Sequence, residues 1–219
     1  SVELARHAAR IKGVSAISSL PPQYYPVPFD HEIEHLSTIA AVSDLPFYPY
    51  VFGTTVDKYG IETLIEGFGR IPNMAGIKAF VADLFVHQIF LREAPAEWEL
   101  LHGYDQCLAQ GLMLPGIEGA IGSSYNIVPE IVIAIFRAVQ AGDYGQAISL
   151  HQRYGSYWGS VPLNLGGSVG RYFLERRGFK MGPNRAPLLA ASEEVIAEVE
   201  AKMRAADFDP LAGGYGYSG

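Results

Sequence analysis

One lysine stands in the middle of an apolar run, and its position raises the possibility of amine chemistry. The run is MAGIKAFVA at residues 74–82, and the lysine is Lys78. Burying a lone ammonium group is costly unless it is paired or loses its proton. Two interpretations are open at this point. Lys78 lies at a strand end and reaches water along its aliphatic stem, or it is a desolvated amine that attacks a carbonyl carbon.

Tyr50 is the best candidate for a chemical partner of Lys78. It lies near the C-terminal end of the apolar run PFYPYV, residues 46–51, which is the predicted strand before that of Lys78. A phenol beside an imine-forming lysine can carry the proton when a C–C bond is made or broken. The alternative is a buried aromatic ring whose hydroxyl is hydrogen bonded.

A second possible chemistry is zinc binding through the segment HEIEH at residues 31–35. This segment matches H-E-x-x-H, in which two histidines on one helix face bind zinc and the glutamate acts as a base. Glu62 or Glu66 would have to supply a third ligand. The alternative, which we favour because so short a motif often arises by chance, is a solvent-exposed polar helix face. In that case the four polar residues are exposed and the buried stripe is Ile33, Leu36 and Ile39.

Two further segments carry polar residues directly after predicted strands. In GYDQC, residues 103–107, Asp105 either caps the following helix or contacts a substrate, and one role does not exclude the other. In IGSSYN, residues 121–126, a Gly-Ser turn either cradles an anion or simply connects a strand to a helix. This turn lacks the lysine of a Walker loop.

The composition limits the classes of protein to which this chain can belong. Of the 219 residues, 49% are hydrophobic and 18% are charged, which is typical of a soluble, well-packed protein. A net charge of −7 gives a nucleic-acid role no electrostatic support. The single cysteine, Cys107, rules out an internal disulfide. No apolar run reaches the roughly 20 residues of a membrane span, and no signal-peptide pattern is present, so we expect a cytoplasmic protein.

Short apolar runs alternate with helical patterns along the first part of the chain. The predicted strands are 14–20, 46–51, 75–81, 99–102 and 119–124, and the helices between them are 31–42, 61–68, 83–92 and 106–114. This alternation predicts an α/β protein with a parallel sheet. From residue 129 the pattern is helical only, with predicted helices at 130–140, 143–159, 163–177 and 190–206.

Two architectures fit five such units: an open doubly wound sheet, or the later part of an eight-stranded (β/α)8 barrel. The start of the chain within a helical pattern favours the barrel, as does the clustering of polar residues where strands end, since these ends converge on one rim of a barrel. We therefore predict a partial barrel at 1–140, a C-terminal helical region at 141–208 and a flexible tail at 209–219.

Five short motifs occur in an order that resembles one known family. They are YYP at 24–26, Tyr50 after LPFYP, GIK at 76–78, GYD at 103–105 and GSSYN at 122–126. Together they resemble the N-acetylneuraminate lyase branch of the dihydrodipicolinate synthase family, from about residue 2 to about residue 208. The resemblance implies strands four to eight of a (β/α)8 TIM barrel followed by a C-terminal helical extension.

The same resemblance implies a class I aldolase that works through a Schiff base, without a metal ion or cofactor. Such an enzyme cleaves N-acetylneuraminate or a related 2-keto-3-deoxy sugar acid to pyruvate and an aldehyde sugar, and is usually a homotetramer. By that resemblance Lys78 forms the imine with pyruvate and Tyr50 relays protons. Tyr24 reaches toward a neighbouring subunit's site, while Gly103, Asp105 and Ser123 hold the sugar's polyol part.

The sequence also departs from the pattern of that family. Phe80 stands where sialic acid lyases place a small hydroxyl residue, and Gln106 replaces an expected glutamate. A substrate-binding site without those hydrogen bonds should bind a polyol less well. The family's carboxylate-binding loop precedes the region that this sequence matches. A non-catalytic fragment that acts as an interaction subunit is therefore the alternative to an enzyme.

Overall fold

The structure is a computed structural model that describes residues 1–22 and 25–211, apart from the side chain of Leu163. Its residues form two compact units. The first comprises Ser1–Tyr104 and Leu114–Ile121, and the second comprises Asp105–Met113 and the residues from Gly122 onward. The predicted division at residues 140 and 208 stays a prediction. Of the predicted tail, residues 212–219 lie outside the described residues.

The first unit contains the strands and the helices between them. The strands are β1 (Ile17–Ser19), β2 (Phe47–Phe52), β3 (Gly76–Phe80), β4 (Glu99–His102) and β5 (Gly119–Ala120). Its helices are α1 (Val2–Ala8), α2 (Phe29–Ala40), α3 (Gly53–Tyr59), α4 (Ile61–Phe68) and α5 (Leu84–Glu93). The five predicted strands are confirmed, although β1 and β5 are shorter than the sequence pattern indicates.

The order of the strands decides between the two architectures. The five strands pair in parallel and in chain order, from β1 to β5, without a reversal. A doubly wound sheet has a point where the strand order reverses, whereas a (β/α)8 barrel adds each strand beside the previous one. The prediction of an α/β protein built from five consecutive barrel-type units is therefore confirmed.

Strand β2 shows how the sequence sets the two faces of the sheet. Its residues are alternately buried and partly exposed, with Phe47 and Val51 buried while Tyr50 and Phe52 are partly exposed. Successive side chains of a strand point to opposite faces, so Tyr50 and Phe52 share a face. The register pairs Tyr50 with Lys78, which puts both side chains on that face.

Helix α3 was not predicted. The segment that forms it, GTTVDKY, contains β-branched residues that lower helix propensity and obscure the pattern. The helix ends at Gly60, whose φ of 78° is in the region that favours glycine. Helix α2, in contrast, buries the predicted stripe of Ile33, Leu36 and Ile39.

The second unit is helical in its described part. Its helices are α6 (Leu108–Leu112), α7 (Pro129–Gln140), α8 (Tyr144–Ser160), α9 (Gly166–Arg176) and α10 (Glu193–Ala205). These confirm the predicted helices, with ends that differ from the predicted ones by at most three residues. Helix α8 packs against both α7 and α10. No helix among the described residues has the length and apolar character that a membrane crossing requires.

A charged pair joins two distant parts of this helical unit. The Arg177 guanidinium donates two hydrogen bonds of 2.7 Å to the two carboxylate oxygens of Glu130, and a third to the carbonyl of Pro210. These bonds lower the pKa of Glu130. The bidentate geometry fixes the end of α9 against the start of α7.

Helix α7 offers a matched test of core packing. Ile131 is fully buried, while Ile133 on the same helix is 46% exposed. Because truncation of a buried isoleucine loses apolar contacts and leaves a cavity, Ile131→Ala should lower the free energy of unfolding by about 2–5 kcal/mol. Ile133→Ala should cost well under half of that. Urea unfolding of both variants measures the difference, and equal costs would contradict this packing.

Candidate active site

Lys78 lies in the middle of strand β3 rather than at its end. Lys78 is part of the first unit and is only 7% exposed. The interpretation in which its ammonium reaches water from a strand end is therefore wrong. Strand β3 pairs with β2 on one side and β4 on the other, so the backbone that carries this amine is held from both sides.

The amine of Lys78 lies over the face of the Tyr50 ring. The Nζ atom is 3.6 Å from the centroid of that ring and 5.5 Å from the centroid of the Phe80 ring. A cation is attracted to the negative face of an aromatic ring at such distances. The in-register pairing of the two residues thus places the phenol and the amine together, as the sequence predicts.

Gly103 forms another wall of the space around Lys78. A Cβ atom built on Gly103 would lie 2.5 Å from the Cε atom and 2.8 Å from the Nζ atom of Lys78. The Gly103 amide donates a 2.8 Å hydrogen bond to the carbonyl of Ala79, which fixes this approach. Only a residue without a side chain fits beside the amine, which gives the predicted site residue Gly103 a physical role.

Four aromatic rings follow one another around the lysine. Tyr50 stacks on Phe52 with centroids 4.4 Å apart, Phe52 meets Phe80 edge to face at 6.1 Å, and Phe80 lies 5.0 Å from Tyr104. Phe52 and Tyr104 were not among the predicted site residues. The period-two spacing of Tyr50 and Phe52 was the available signal for the former, since residues two apart on a strand share a face.

Two buried histidines lie beside this site and were not predicted. The Nδ1 atom of His102 is 3.2 Å from Nε2 of His87, and the outer nitrogens of the two rings face the carbonyls of Tyr104 and Asp83. Both rings are fully buried. Burial lowers the pKa of His87. The contact with the carbonyl of Tyr104 connects this pair to the backbone next to Gly103.

The carboxylate of Asp105, in the second unit, accepts hydrogen bonds from another residue of the protein. Its Oδ2 atom accepts hydrogen bonds from the backbone amide of Ser124 at 3.1 Å and from the Ser124 hydroxyl at 2.6 Å. The same hydroxyl is 2.5 Å from the Tyr154 hydroxyl. Of the two roles left open for Asp105, the helix cap is wrong, because the N-cap of α6 is Cys107 and the Asp105 carboxylate bonds to residue 124 instead.

The Asp105 carboxylate contributes to the pKa values of three nearby tyrosines. Burial, together with the charge of Asp105, raises the pKa values of Tyr125, Tyr154 and Tyr157. These phenols therefore stay neutral at physiological pH. Asp105 also approaches Gly122 so closely that a Cβ at that position would overlap its Oδ1 atom, which explains the glycine at the start of GSSYN.

The predicted site residues divide between the two units. Lys78, Tyr50, Phe80 and Gly103 are brought together in the first unit. In the second unit, Gln106 and Ser123 are exposed, and the backbone carbonyl of Gln106 accepts a 2.9 Å hydrogen bond from His151. Tyr24 lies outside the described residues.

The HEIEH segment is not a zinc site in the described structure. Glu32 is buried, 8% exposed, and accepts hydrogen bonds from Lys58 at 3.1 Å and Tyr59 at 2.8 Å. Among the residues that the structure describes, no group of three metal-binding side chains is present. The prediction of an entirely exposed polar face is wrong for Glu32, since these two partners compensate its burial.

Comparison with known proteins gives matches over nearly the whole chain. Residues 1–206 match the dihydrodipicolinate synthetase family. The N-acetylneuraminate lyase of Gallus gallus is 32% identical over 211 residues, which cover 93% of this chain and 68% of that protein. The N-acetylneuraminate lyase structure from Aliivibrio salmonicida has a TM-score of 0.80 at 30% identity, covering 94% of this chain and 69% of that one.

A second solved structure bears on the lysine. The Ruminococcus gnavus sialic acid aldolase, described as a catalytic lysine mutant, superimposes with a TM-score of 0.83 at 25% identity. The match covers 94% of this chain and 69% of that one. That aldolase therefore has a catalytic lysine on the fold that this chain shares.

Substitution of Gly103 tests the close approach to Lys78. Gly103→Ala should lower the free energy of unfolding by about 1–3 kcal/mol, because the added methyl group overlaps the lysine side chain and the carbonyl of Ala79. The control is Gly155→Ala on α8, where a Cβ meets nothing within 4 Å. That change should raise stability by up to about 1 kcal/mol. A stabilising Gly103→Ala in urea unfolding would contradict the geometry.

His151 should make the protein sensitive to acid. Its Nε2–H donates to the carbonyl of Gln106, its buried Nδ1 has no hydrogen-bond partner among the described residues, and burial lowers its pKa. The unfolded chain therefore binds a proton more readily, and stability falls as pH drops below about 6.5.

The variant His151→Gln keeps a donor for that carbonyl and removes the titration. We expect it to lose less stability than the unsubstituted protein between pH 7 and pH 5, measured by urea unfolding at each pH. The exposed His7 provides a matched control, His7→Gln, in which the same substitution is made at the surface. An identical acid response in the His151 and His7 variants would show that His151 does not titrate as described.

Proposed function

Since this chain belongs to the dihydrodipicolinate synthetase family, we propose that it is a pyruvate-dependent C–C lyase in which Lys78 is the nucleophile. The observation that supports this most directly is the buried Lys78 amine, 3.6 Å from the centre of the Tyr50 ring. The sialic acid lyases to which the chain is similar indicate a 2-keto-3-deoxy sugar acid, such as N-acetylneuraminate, as the substrate class.

Lys78 would carry out the first step. Its neutral amine attacks the C2 carbonyl of the 2-keto acid, and loss of one water leaves an imine. The low exposure of Lys78 supports this role, since a lysine held in an apolar pocket is a common form of nucleophile for a carbonyl. The imine then accepts the electron pair of the C3–C4 bond as that bond breaks.

Tyr50 would move the proton that this cleavage requires. As the C3–C4 bond breaks, the C4 hydroxyl loses its proton and becomes the aldehyde, and the enamine that remains takes a proton at C3. A hydroxyl beside the amine can serve both transfers. Addition of water to the resulting imine releases pyruvate and restores Lys78, so that atoms and charges balance over the cycle.

The remaining predicted roles belong to this proposal. The family resemblance carries the substrate-binding roles of Gly103, Asp105, Gln106, Ser123 and Phe80, and within the first unit the closeness of Gly103 and Phe80 to Lys78 supports two of them. The family resemblance carries the role of Tyr24 at a neighbouring subunit, the homotetramer and the cytoplasmic location. The chemistry at Lys78 needs no metal ion or cofactor.

Kinetics of two variants test the proposed roles. Lys78→Ala should abolish pyruvate release from 2-keto-3-deoxy sugar acids, because no imine can form. Tyr50→Phe keeps the ring over the amine and removes only the hydroxyl, so kcat should fall about 100- to 10,000-fold. The exposed Lys12 provides a control, Lys12→Ala, that should retain full activity.

Pyruvate release is followed by coupling to lactate dehydrogenase, and circular dichroism establishes that each variant is folded. Cleavage by folded Lys78→Ala protein would refute the proposal. Folded unsubstituted protein that cleaves no such acid and forms no imine with pyruvate would instead support the alternative of a non-catalytic interaction subunit.

A further inference from the structure

The side chains next to the Lys78–Tyr50 pair, toward the C-terminal ends of the strands, are aromatic. Phe52 and Phe80 are paired in register, two residues beyond Tyr50 and Lys78. Side chains two residues apart share a face and lie about 7 Å apart along the strand. The rings of Phe52 and Phe80 therefore form the layer directly above the amine, and Tyr104 extends this layer from the Phe80 side.

These rings are partly accessible to solvent. Phe80 is 37% exposed, and Phe52 and Tyr104 are partly exposed. A phenylalanine with that exposure, in contact with a buried amine, gives a bound molecule an apolar surface to cover. Aromatic faces 4.5–7 Å apart favour a further flat ring in offset or edge-to-face contact.

The same layer suits a polyol poorly. Phenylalanine side chains offer neither a donor nor an acceptor, while each hydroxyl of a sugar that leaves water needs a partner. Gly103, which also approaches the amine, adds no side-chain group. Among the described rings, polar atoms come from the hydroxyls of Tyr50 and Tyr104, one on each ring. Within the first unit, the surface next to Lys78 therefore selects for flat apolar groups rather than for chains of hydroxyls.

We propose that the aldehyde released by this lyase carries an aromatic substituent, which stacks on Phe52, Phe80 and Tyr104. This inference rests on the proposed imine chemistry at Lys78, and it puts an aromatic group in the place of the sugar part of the substrate. The simplest such substrate is 4-hydroxy-2-oxo-4-phenylbutanoate. Cleavage of its C3–C4 bond gives pyruvate and benzaldehyde, with the hydroxyl proton leaving C4 and one proton arriving at C3, so no other reactant is needed.

The experiment compares kcat/KM for this phenyl substrate with kcat/KM for N-acetylneuraminate in four proteins. In the unsubstituted chain the phenyl substrate should be favoured at least about tenfold, the scale of discrimination that apolar pocket contacts provide. Phe80→Ser should lower the ratio about tenfold by removing the stacking ring. Phe80→Leu keeps apolar volume and stability, and should also lower the ratio, by a smaller factor.

The matched control is a phenylalanine on the surface of the same unit. Phe85, on α5, is 61% exposed, and Phe85→Ser should leave the ratio unchanged. A parallel reaction with pyruvate and borohydride, followed by peptide mass mapping, determines whether Lys78 forms the imine in each protein.

The outcomes separate the inference from the function on which it rests. Imine formation together with preference for N-acetylneuraminate, failure to cleave the phenyl substrate, or a ratio that Phe80→Ser leaves unchanged would overturn the aromatic substrate class alone. Absence of a pyruvate adduct in folded protein would overturn the proposed function, and the inference with it. A phenyl preference that falls in both Phe80 variants and persists in Phe85→Ser supports the inference.

Discussion

The pairing of Tyr50 with Lys78 across β2 and β3 is the constraint on which the site depends. It puts an amine and a phenol on one face of a parallel sheet, with the Nζ atom 3.6 Å from the ring centroid. A shift of one residue in this register would send one of the two side chains to the opposite face. The hydrogen bonds that join β2, β3 and β4 therefore set the positions of these two side chains as well as the fold.

The space around the lysine side chain is narrow. Gly103 leaves just enough room for the lysine side chain, and its amide bonds to the strand that carries it. On the other face of β4, His102 reaches the carbonyl of Tyr104 and the ring of His87 on α5. The backbone beside the amine is thus held by a strand on one side and a helix on the other.

Sequence reasoning predicted the five strands and the placing of Tyr50 and Lys78 on neighbouring strands, because apolar runs and motif spacing are local signals. It missed helix α3, whose β-branched residues hide a helical pattern, and the His87–His102 contact, which joins residues fifteen apart through the fold. For Asp105 it left a helix cap and a substrate contact open, and the structure rules out the cap. The carboxylate accepts hydrogen bonds from Ser124 instead. Asp105 and Ser124 are 19 residues apart in the sequence, and a contact over that separation produces no periodic pattern.

The most direct test of the account is to reduce a mixture of the protein and pyruvate with borohydride and to map the modified peptide by mass spectrometry. The account predicts one reduced pyruvate adduct, on the peptide that contains Lys78, and none in the Lys78→Ala variant. An adduct on any other lysine, or no adduct in folded protein, would contradict the assignment of Lys78 as the nucleophile.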